Sequence, residues 1–477
     1  MITADRMAVV DANAAALGVP RKQLMESSGN AIARVVRELV DPGAAVAVVA
    51  GRGNNGGDAF VAARFLADYD VSVHLLGRAE TISTDIAREN WDALGQAALD
   101  AREVRDSRDL DLDDPALVVD AMLGTGVTGE LREPEATAAA RINETDAPVL
   151  AVDVPSGVDA DTGEAAGTAV DADRVVTFHD DKPGLGELDA DVTVADIGIP
   201  DAAERFVERG DLQRLSRDPA SHKGDHGEVL VVGGGPYTGA PALSAQAALR
   251  AGADLVRVLC PDTVAREVQG YSEDLIVRGY AGDLLQPHHV DQVLDWAHDQ
   301  DTVVFGPGLG DADGTLEAVR EFLAGYDGTA VVDADALQVV PEVDTDATLL
   351  CTPHQGELQK MGGETSEDWR ERADLVESFA ADLGHTLLVK GVEDVISDGE
   401  RTRVSRTGNP GMTVGGTGDV LAGVTGALAC TQAPHDAACI AAYANGAAGD
   451  RLVERQGFGL VATDLADELP GVLWGDR

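Results

Sequence analysis

Short apolar segments alternate with amphipathic segments along most of this chain. In the first part, the apolar segments lie at 45–50, 71–76, 116–122, 148–154 and 173–178. They are rich in Val, Ala, Ile and Leu, so we interpret them as strands that are buried on both faces. Helical patterns separate most of them, and two helices are predicted before the first strand, near 5–17 and 21–40. This order predicts a parallel, doubly wound sheet.

The same alternation starts again after a polar stretch at about 201–228. Its apolar segments lie at 228–234, 253–260, 301–308, 329–337, 347–353 and 385–391, and final helices are predicted near 415–430, 435–454 and 461–469. We therefore predict two α/β domains, each with helices on both faces of a sheet, that is, three α/β/α layers. The polar stretch places the boundary between 1–211 and 212–477.

The charge of the chain is strongly acidic, with 84 Asp and Glu residues against 36 Lys and Arg residues and a formal net charge of -48. The acids are scattered, which favours a surface adapted to high salt over an acidic binding face, because salt screens self-repulsion. This composition resembles proteins of extreme halophiles. It argues against nucleic-acid binding, which needs a basic surface.

Cysteine usage and hydropathy favour a cytoplasmic protein. The four cysteines, Cys260, Cys351, Cys430 and Cys439, form no C-x-x-C pair and are typical of buried thiols in a reducing compartment. Charged residues at 5, 6 and 11 interrupt any signal-peptide core, and no apolar run approaches 18 residues. We expect no membrane association.

The motif "GRGNNG" at 51–56 follows the first predicted strand and fits G-x-G-x-x-G. Alone it is a weak signal, since an ordinary tight turn has the same composition. The usual dinucleotide-binding fold also has an acidic residue at the end of the next strand, which binds a ribose hydroxyl. Gly77 and Arg78 stand there instead, which argues against a simple NAD-dependent dehydrogenase.

Two further strand ends carry candidate chemistry, "GTGVTGE" (124–130) after Asp120 and "DVPSG" (153–157). Strand ends of a parallel sheet gather at one edge, so we expect a shared pocket there. Its candidate residues are Asn54, Asn55, Asp58, Asp120, Gly124, Thr125, Gly126, Val127, Thr128, Gly129, Glu130, Asp153 and Ser156. Loop amides would bind phosphates, the oxygens of 55, 120 and 156 suit a hard cation, and Asp153 would transfer protons. For any single residue a cap or turn is the simpler explanation.

The segments "AGRGNNGGDAFVAARFL", "DAMLGTGVTGELREP" and "AVDVPSGVDADTG" resemble the signature segments of NAD(P)H-hydrate epimerases. The resemblance covers nearly all of residues 1–210 and implies a Rossmann-like domain. It implies that Asn54, Asn55, Gly56, Gly57, Asp58 and the loop 124–130 bind the hydrated dinucleotide. It also implies K⁺ between Asn55, Asp120 and Ser156, and an acid–base role for Asp153.

The stretch "TGNPGMTVGGTGDVLAG" (407–423) predicts an anion hole in the second half. Its glycines at 415, 416 and 418 let N–H groups crowd around an anion, and a helix predicted to start near Asp419 adds its positive end. No Lys in the chain follows a Gly, which excludes a P-loop. Asp419 can accept the proton of an acceptor hydroxyl during phosphoryl transfer, or cap the helix, and the two roles are compatible.

Three other segments follow predicted strands in this half: "GPGLG" (306–310), "TPHQGEL" (352–358) with His354, and "VKGVED" (389–394) with Lys390. The first can approach a ligand closely through its backbone. Lys390 can bind a nucleotide phosphate, and the alternative is a surface lysine whose stem covers apolar neighbours.

The motif "GGTGDVLAG" makes this half similar to the ribokinase-like superfamily. Together with "SHKGDHGEVLVVGGGPYTGAPALSAQAALRAGADLV" and the segments above, it resembles the ADP-dependent NAD(P)H-hydrate dehydratases over about 212–475. The resemblance implies that Asp419 contacts the hydroxyl of the hydrated nicotinamide, and that Gly308 and His354 contact the substrate. The residues implied for the adenine nucleotide are Lys390, Gly391, Val392, Glu393, Asp394 and Gly418. ADP as phosphoryl donor and Mg²⁺ are the implied cofactors.

The sequence therefore predicts a bifunctional enzyme that repairs hydrated NADH and NADPH. The first domain would interconvert the S and R hydrates, and the second would use ADP to dehydrate the S hydrate, with AMP and phosphate as products. We expect small-molecule partners and a homo-oligomer. Two alternatives stay open: a ribokinase-like small-molecule kinase with a regulatory dinucleotide-binding domain, and a non-catalytic dinucleotide sensor.

Overall fold

The computed structural model describes residues 1–126 and 128–475. The chain folds into two compact units, Met1–Ala203 and Glu204–Arg477.

The first unit alternates helices and strands in the predicted order. Its helices are α1 (Ala4–Ala16), α2 (Arg21–Leu39), α3 (Asn54–Phe65), α4 (Asp85–Gln96) and α5 (Glu135–Asn143). Its strands are β1 (Ala45–Ala50), β2 (Asp70–Leu76), β3 (Asp100–Val104), β4 (Leu117–Ala121), β5 (Val149–Val152), β6 (Arg174–Phe178) and β7 (Asp191–Ala195). The strands pair in parallel in the order β3-β2-β1-β4-β5-β6-β7, which is the predicted doubly wound arrangement.

The second unit repeats this plan with a larger sheet. Its helices, after α6 (Ala202–Arg205), are α7 (Gly239–Ala251), α8 (Asp262–Gln269), α9 (Val290–Ala297), α10 (Asp313–Gly325), α11 (Gln355–Lys360), α12 (Trp369–Leu383), α13 (Thr417–Ala429), α14 (Pro434–Gln456) and α15 (Ala462–Leu473). Its strands are β8 (Phe206–Val207), β9 (Glu228–Val232), β10 (Leu255–Pro261), β11 (Ile276–Tyr280), β12 (Thr302–Phe305), β13 (Thr329–Val332), β14 (Thr348–Cys351), β15 (Thr386–Val389), β16 (Asp394–Ser397) and β17 (Thr402–Ser405).

The sheet of the second unit has the order β11-β10-β9-β12-β13-β14-β15-β16-β17-β8. It is parallel from β11 to β15, and β16 and β17 then form an antiparallel hairpin at one side. The division between the units falls before the predicted boundary at 211/212. The reason is that β8 pairs with β17, and that the Asp211 carboxylate pairs with the Arg403 guanidinium, so 204–211 belongs with the second sheet.

Alternation along the central strands explains why both sheets are covered on both faces. On β1, Val46, Val48 and Ala50 pack into one buried cluster, whereas Ala47 and Val49 pack into another on the opposite face. On β9, Val229 and Val231 likewise face one cluster, and Leu230 and Val232 face the other. Successive side chains of a strand point to opposite faces, so each sheet is the middle of three layers, as predicted.

The strands that the apolar pattern missed are β3, β7, β8, β11, β16 and β17. Most of them lie near a sheet margin, where strands carry more polar residues, as in "DAREV" of β3. The four cysteines carry free thiols, and none of the helices in the described ranges is long and apolar enough to cross a lipid bilayer.

Candidate active sites

The first candidate site is a cleft of about 440 Å³ at the carboxyl edge of the seven-stranded sheet. Of the residues predicted from the sequence, it is lined by Asn54, Asn55, Asp58, Gly124, Thr125, Gly126 and Asp153. Helices α1 and α2 supply further lining residues, among them Asp11 and Arg21. The structure thus brings loops from three separate strands into one cleft.

Asp153 stands directly after β5 in the left-handed region of backbone conformation, with φ of 70°. Its Oδ2 accepts a hydrogen bond from the Thr125 N–H at 3.0 Å, and its Oδ1 accepts one from the Thr177 hydroxyl at 3.3 Å. The Lys182 Nζ lies 3.8 Å from the same Oδ1. These donors fix the direction of the carboxylate toward the cleft.

Lys182 is a functional candidate that the sequence reading missed. Its side chain is fully buried, and its Nζ donates to the Thr177 hydroxyl at 2.9 Å and to the Phe178 and Asp180 carbonyls at 2.9 and 2.8 Å. Burial lowers the pKa of Lys182, and the charge of Asp153 opposes that shift. A lysine directly before Pro183, in a chain with so few lysines, was the signal that could have found it.

Two further carboxylates face Asp153. Burial raises the pKa of Asp11 to about 6, with a further contribution from Asp153. Burial, with Asp153 and Asp11, also raises the pKa of Asp58 well above its ordinary value. Asp11 was not predicted, because it belongs to α1 and nothing in its local sequence connects it to the strand ends. The cleft therefore holds groups with different proton affinities.

The residues proposed for a cation meet around the Leu123 carbonyl. The Asn55 Nδ2 donates to that carbonyl at 2.8 Å, and the Ser156 hydroxyl lies 3.4 Å from it. Asp120 is fully buried and accepts hydrogen bonds from the Ser156 hydroxyl and N–H at 2.7 and 2.8 Å. Burial raises the pKa of Asp120 to about 6 despite these bonds. A buried carboxylate that is held by neutral donors, beside the neutral oxygen atoms of Ser156 and Leu123, fits a monovalent cation.

The glycine loops divide into residues that line the cleft and residues that pack. A Cβ on Gly124 would stand 2.9 Å from the Asp153 Oδ2, so only glycine lets the loop approach this carboxylate. Gly56 and Gly57 face inward, and the Gly57 N–H donates within α3 to the Gly53 carbonyl at 3.1 Å. Thr128, Gly129 and Glu130 are exposed outside the cleft lining, and Val127 lies outside the described residues.

The second candidate site surrounds Asp419, in the first turn of α13. The helix begins at Thr417 and its N-cap is Gly416, with φ of 97°, so Asp419 is not the cap. A Cβ on Gly418 would lie 3.3 Å from the Lys390 Nζ. The glycine motif and the predicted lysine are therefore neighbours, and the helix start adds its positive end to the ammonium charge.

Lys390 joins three carboxylates at this site. Its Nζ donates to the Asp333 Oδ1 at 3.1 Å and lies 3.7 Å from the Glu357 Oε2. Burial alone would lower its pKa, but Asp333, Glu357 and Asp419 raise it, so it stays an ammonium. Asp333 was missed, although it directly follows β13. Its Oδ1 also accepts a hydrogen bond from the Thr352 hydroxyl at 2.8 Å.

The surroundings of Asp419 raise its proton affinity. Burial is the main cause and the charge of Asp333 is the next, while Lys390 works in the opposite direction. Together they raise the pKa of Asp419 to about 7. A carboxylate with this pKa can exchange a proton near neutral pH, which suits a general base.

The other predicted residues lie around the same lysine. His354 forms an isolated parallel bridge with Lys390 and caps α11, accepting the Glu357 N–H at its Nδ1 at 3.1 Å. Gly308, with φ of 75°, packs so closely that a Cβ would stand 2.5 Å from the Tyr237 carbonyl. After Lys390, the Gly391 N–H donates to the Asp394 carboxylate at 2.9 Å, and Glu393 pairs with Arg372. Val392 is exposed.

Known proteins resemble both halves of the chain. The family described as NAD(P)H-hydrate dehydratase matches residues 229–471, and that described as YjeF-related protein N-terminus matches residues 21–184. The bifunctional NAD(P)H-hydrate repair enzyme Nnr of Methanothermobacter thermautotrophicus is 44% identical over 98% of this chain and 94% of its own length. That of Archaeoglobus fulgidus is 42% identical over 98% of this chain and 97% of its own.

A solved structure supports the fold of the second unit. A ribokinase-like superfamily protein of Enterococcus faecalis, 23% identical, covers 56% of this chain and 95% of its own length with a TM-score of 0.50. This confirms the ribokinase-like fold predicted from the glycine motif. The chain belongs to the family of bifunctional NAD(P)H-hydrate repair enzymes.

Proposed function

We propose that this chain repairs hydrated NADH and NADPH with two active sites, an epimerase in the first unit and a dehydratase in the second. The observation that carries the proposal is the placement of Asp153 and Asp419. Asp153 stands beside a glycine-rich loop at the end of a strand, and Asp419 stands beside another at the start of a helix, each in a different unit. Family membership gives both sites a common substrate.

In the first site Asp153 would exchange protons with the hydrate. Water added across an enamine double bond places the hydroxyl on the carbon next to the ring nitrogen. Removal of the hydroxyl proton lets the carbon–nitrogen bond open, and closure from the other face inverts the carbon. The Thr125 N–H, the Thr177 hydroxyl and Lys182 would hold the carboxylate in line for this transfer.

Asn55, Asp120 and Ser156 would hold K⁺ in this site. The ion would supply a positive charge that offsets the buried carboxylate of Asp120. Asn54, Asp58 and the loop Gly124, Thr125, Gly126, Val127, Thr128, Gly129 and Glu130 would surround the dinucleotide, with Gly56 and Gly57 shaping the turn. If this is right, replacing K⁺ with a bulky organic cation slows epimerisation and leaves dehydration unchanged.

In the second site Asp419 would take the proton of the substrate hydroxyl as that oxygen attacks a phosphoryl group. The N–H groups at 415–418 and the Lys390 ammonium would receive the negative charge of the phosphates. Phosphate then leaves far more readily than hydroxide, and its elimination restores the reduced nicotinamide. The products would be NAD(P)H, phosphate and AMP if ADP is the donor.

Mg²⁺ would enter this second site together with the nucleotide. Within the described residues no cluster of three or more His, Cys, Asp or Glu side chains is arranged to hold a metal ion. Mg²⁺ commonly keeps its waters and binds substrate phosphates with one or two carboxylates, and Asp333 and Glu357 lie beside Lys390. We assign Lys390, Gly391, Val392, Glu393, Asp394 and Gly418 to the nucleotide, and Gly308 and His354 to the hydrate.

One experiment tests the proposal. Each hydrate epimer is incubated with the protein and ADP or ATP at several salt concentrations, and the reduced-nicotinamide absorbance is followed. Recovery from the S hydrate with ADP, and slower recovery from the R hydrate through epimerisation, is the expected result. Accumulation of a stable phosphorylated product with ATP would instead identify a small-molecule kinase. A cytoplasmic location, self-association and adaptation to high salt stay predictions.

A further inference from the structure

A second cleft, of about 820 Å³, opens at the carboxyl edge of the first sheet. Arg52, Arg78, Arg105 and Arg108 line it, against two acidic residues, Asp106 and Glu133. The chain as a whole has 84 acidic and 36 basic residues, so four arginines that line one cleft are an exception on its surface, although each of them is also paired with a carboxylate. We call this cleft the arginine cleft.

The arginine cleft is built from three neighbouring strands. Arg52 follows β1, Arg78 follows β2 and Arg105 follows β3, and these strands lie side by side in the order β3-β2-β1. Arg52 lies in the loop between β1 and α3, and Asn54 and Asn55, which begin α3, line the epimerase cleft. The two clefts therefore lie on either side of the glycine-rich loop between β1 and α3, a type of loop that binds phosphates. The two halves of a dinucleotide whose pyrophosphate lay over this loop would occupy the two clefts.

The ion pairs that Arg78 and Arg52 now make are long, and both arginine side chains are exposed, although Glu135 is mostly buried. The Arg78 Nη1 lies 3.4 Å from the Glu80 Oε1, and the Arg52 Nη2 lies 3.7 Å from the Glu135 Oε1. Arg105 pairs with Glu103 at 2.8 Å, but its side chain is 68% exposed. Exposed ion pairs contribute little free energy, so a phosphate can replace them at small cost. The guanidinium of Arg105 makes two hydrogen bonds to Glu103, and that of Arg108 is held more firmly, by three hydrogen bonds to Asp106.

In the usual dinucleotide-binding fold an acidic residue after the second strand binds the ribose. Here Gly77 occupies that position, and its backbone disfavours any side chain. Gly77 has φ of 108°, and a Cβ there would lie 3.1 Å from the Arg52 Cδ. Glu103, the acid at the end of β3, already accepts the Ala79 N–H at 3.0 Å and the Arg105 guanidinium. Dinucleotide-binding folds that accept a 2′-phosphate replace the acid with a nearby arginine. Planar guanidinium groups also match phosphate geometry.

We infer that the arginine cleft binds the 2′-phosphate on the adenosine half of hydrated NADPH, through Arg78 and Arg105, and so makes the epimerase select this hydrate over hydrated NADH. The inference rests on the proposed epimerase function. It adds the substrate preference of that site. The pyrophosphate, common to both hydrates, would lie over the loop that carries Arg52.

The test compares the two hydrates in the full-length protein. In the double variant Arg78→Ala/Arg105→Ala, the KM of epimerisation for hydrated NADPH should rise about tenfold to hundredfold, because charge-assisted hydrogen bonds are lost. The kcat should stay the same, and so should the KM for hydrated NADH. The matched control is Arg102→Ala, since Arg102 is a half-exposed arginine on β3 that pairs with Asp100 at 2.9 Å and lies outside the arginine cleft. Equal losses on both hydrates, or no loss on either, would overturn the inference.

A binding measurement separates this inference from the proposed function. Calorimetry with 2′,5′-ADP should show one binding event in the unsubstituted protein that the double variant lacks, whereas Arg102→Ala keeps it. Any binding of 2′,5′-ADP at the dehydratase site is the same in all three proteins, so it does not affect the comparison. If no hydrate is epimerised but this difference is present, the proposed function fails and the arginine cleft stands. If 2′,5′-ADP binds all three proteins equally, the arginine cleft is not its site.

Discussion

The two proposed catalytic aspartates stand in contrasting surroundings. Asp153 follows a strand, has a left-handed backbone and is surrounded by an N–H, a hydroxyl and an ammonium. Asp419 lies in the first turn of a helix, where burial and the charges of Asp333 and Glu357 raise its pKa to about 7. The first carboxylate is fixed in direction by donors. Burial and neighbouring negative charges raise the pKa of the second carboxylate.

This contrast teaches that one residue type can serve two reactions through two different physical devices. A carboxylate that must reach one hydroxyl of the hydrate needs a fixed direction. A base that meets a hydroxyl beside phosphates needs a pKa near the working pH. The two sites should therefore fail independently and in different ways.

The largest expected effect is that of Asp419→Asn. An amide cannot accept the substrate proton, so the rate of dehydration should fall by about 10²- to 10⁴-fold. Epimerisation, measured on the same preparation, is the internal control and should not change. Loss of both activities in a folded protein would contradict the assignment of two separate sites.

The converse variant is Asp153→Asn. Asparagine tolerates the left-handed backbone that this position requires, so the fold should be kept. Epimerisation should fall by about 10²- to 10³-fold, while the S hydrate is still dehydrated at the normal rate. The measurement is the recovery of reduced-nicotinamide absorbance from a mixture of the two epimers. Its slow phase, which reports conversion of the R hydrate, should disappear. Its persistence would show that another group moves the proton.

Lys182→Met tests how the direction of Asp153 is maintained. The variant leaves the Thr177 hydroxyl and two carbonyls without their buried donor, at a cost of about 1–3 kcal/mol in unfolding free energy. Hydrogen exchange of amides in β5 and β6 should speed up, and epimerisation should slow. Lys22→Met is the matched control, because Lys22 is an exposed lysine paired with Glu89, and it should change neither quantity. Equal behaviour of the two variants would exclude a positioning role.

The pKa of Asp419 predicts the pH dependence of the second site. The base must be ionised, so kcat/KM for dehydration should fall about tenfold for each pH unit below about 7. Epimerisation in the same buffers provides the comparison, since Asp419 takes no part in it. A dehydration profile that is flat from pH 5 to 8 would show that Asp419 is not the base.

The smallest effect is on stability. The folded pKa of Asp419 is raised from 3.8 to about 7, so the protonated form favours the folded state. That stabilisation is full below about pH 4 and is lost as the pH rises through about 7. Asp419→Asn should therefore raise Tm relative to the unsubstituted protein at pH 8 but not at pH 4. Scanning calorimetry of both proteins at the two pH values measures the difference, and equal Tm shifts would contradict it.

Much of the first site followed from the sequence, because a parallel sheet brings its strand ends to one edge. That rule was enough to group Asn55, Gly124 and Asp153. It could not include Asp11, which reaches the cleft from α1, or Lys182, whose ammonium turns back toward Asp153. Asp333 was missed for a similar reason, since only the folded sheet places it against Lys390.

The limits of the strands were harder to predict than their existence. The apolar run at 148–154 suggested a longer strand, but β5 ends at Val152 because Asp153 adopts a positive φ. The hairpin β16–β17 was missed because its segments are only four residues long and contain few apolar residues, "DVIS" and "TRVS". Neighbouring strands, rather than local composition, decide such segments.

The sequence by itself determined the buried strands, the order of the two α/β/α units and the glycine loops, since these depend on local periodicity and backbone freedom. Only the tertiary structure decided which charges face one another. It set Lys182 beside Asp153, and it set Asp333 and Lys390 beside Asp419. Proton affinity depends on burial and on distances between residues far apart in the chain, and neither quantity is written in a local pattern.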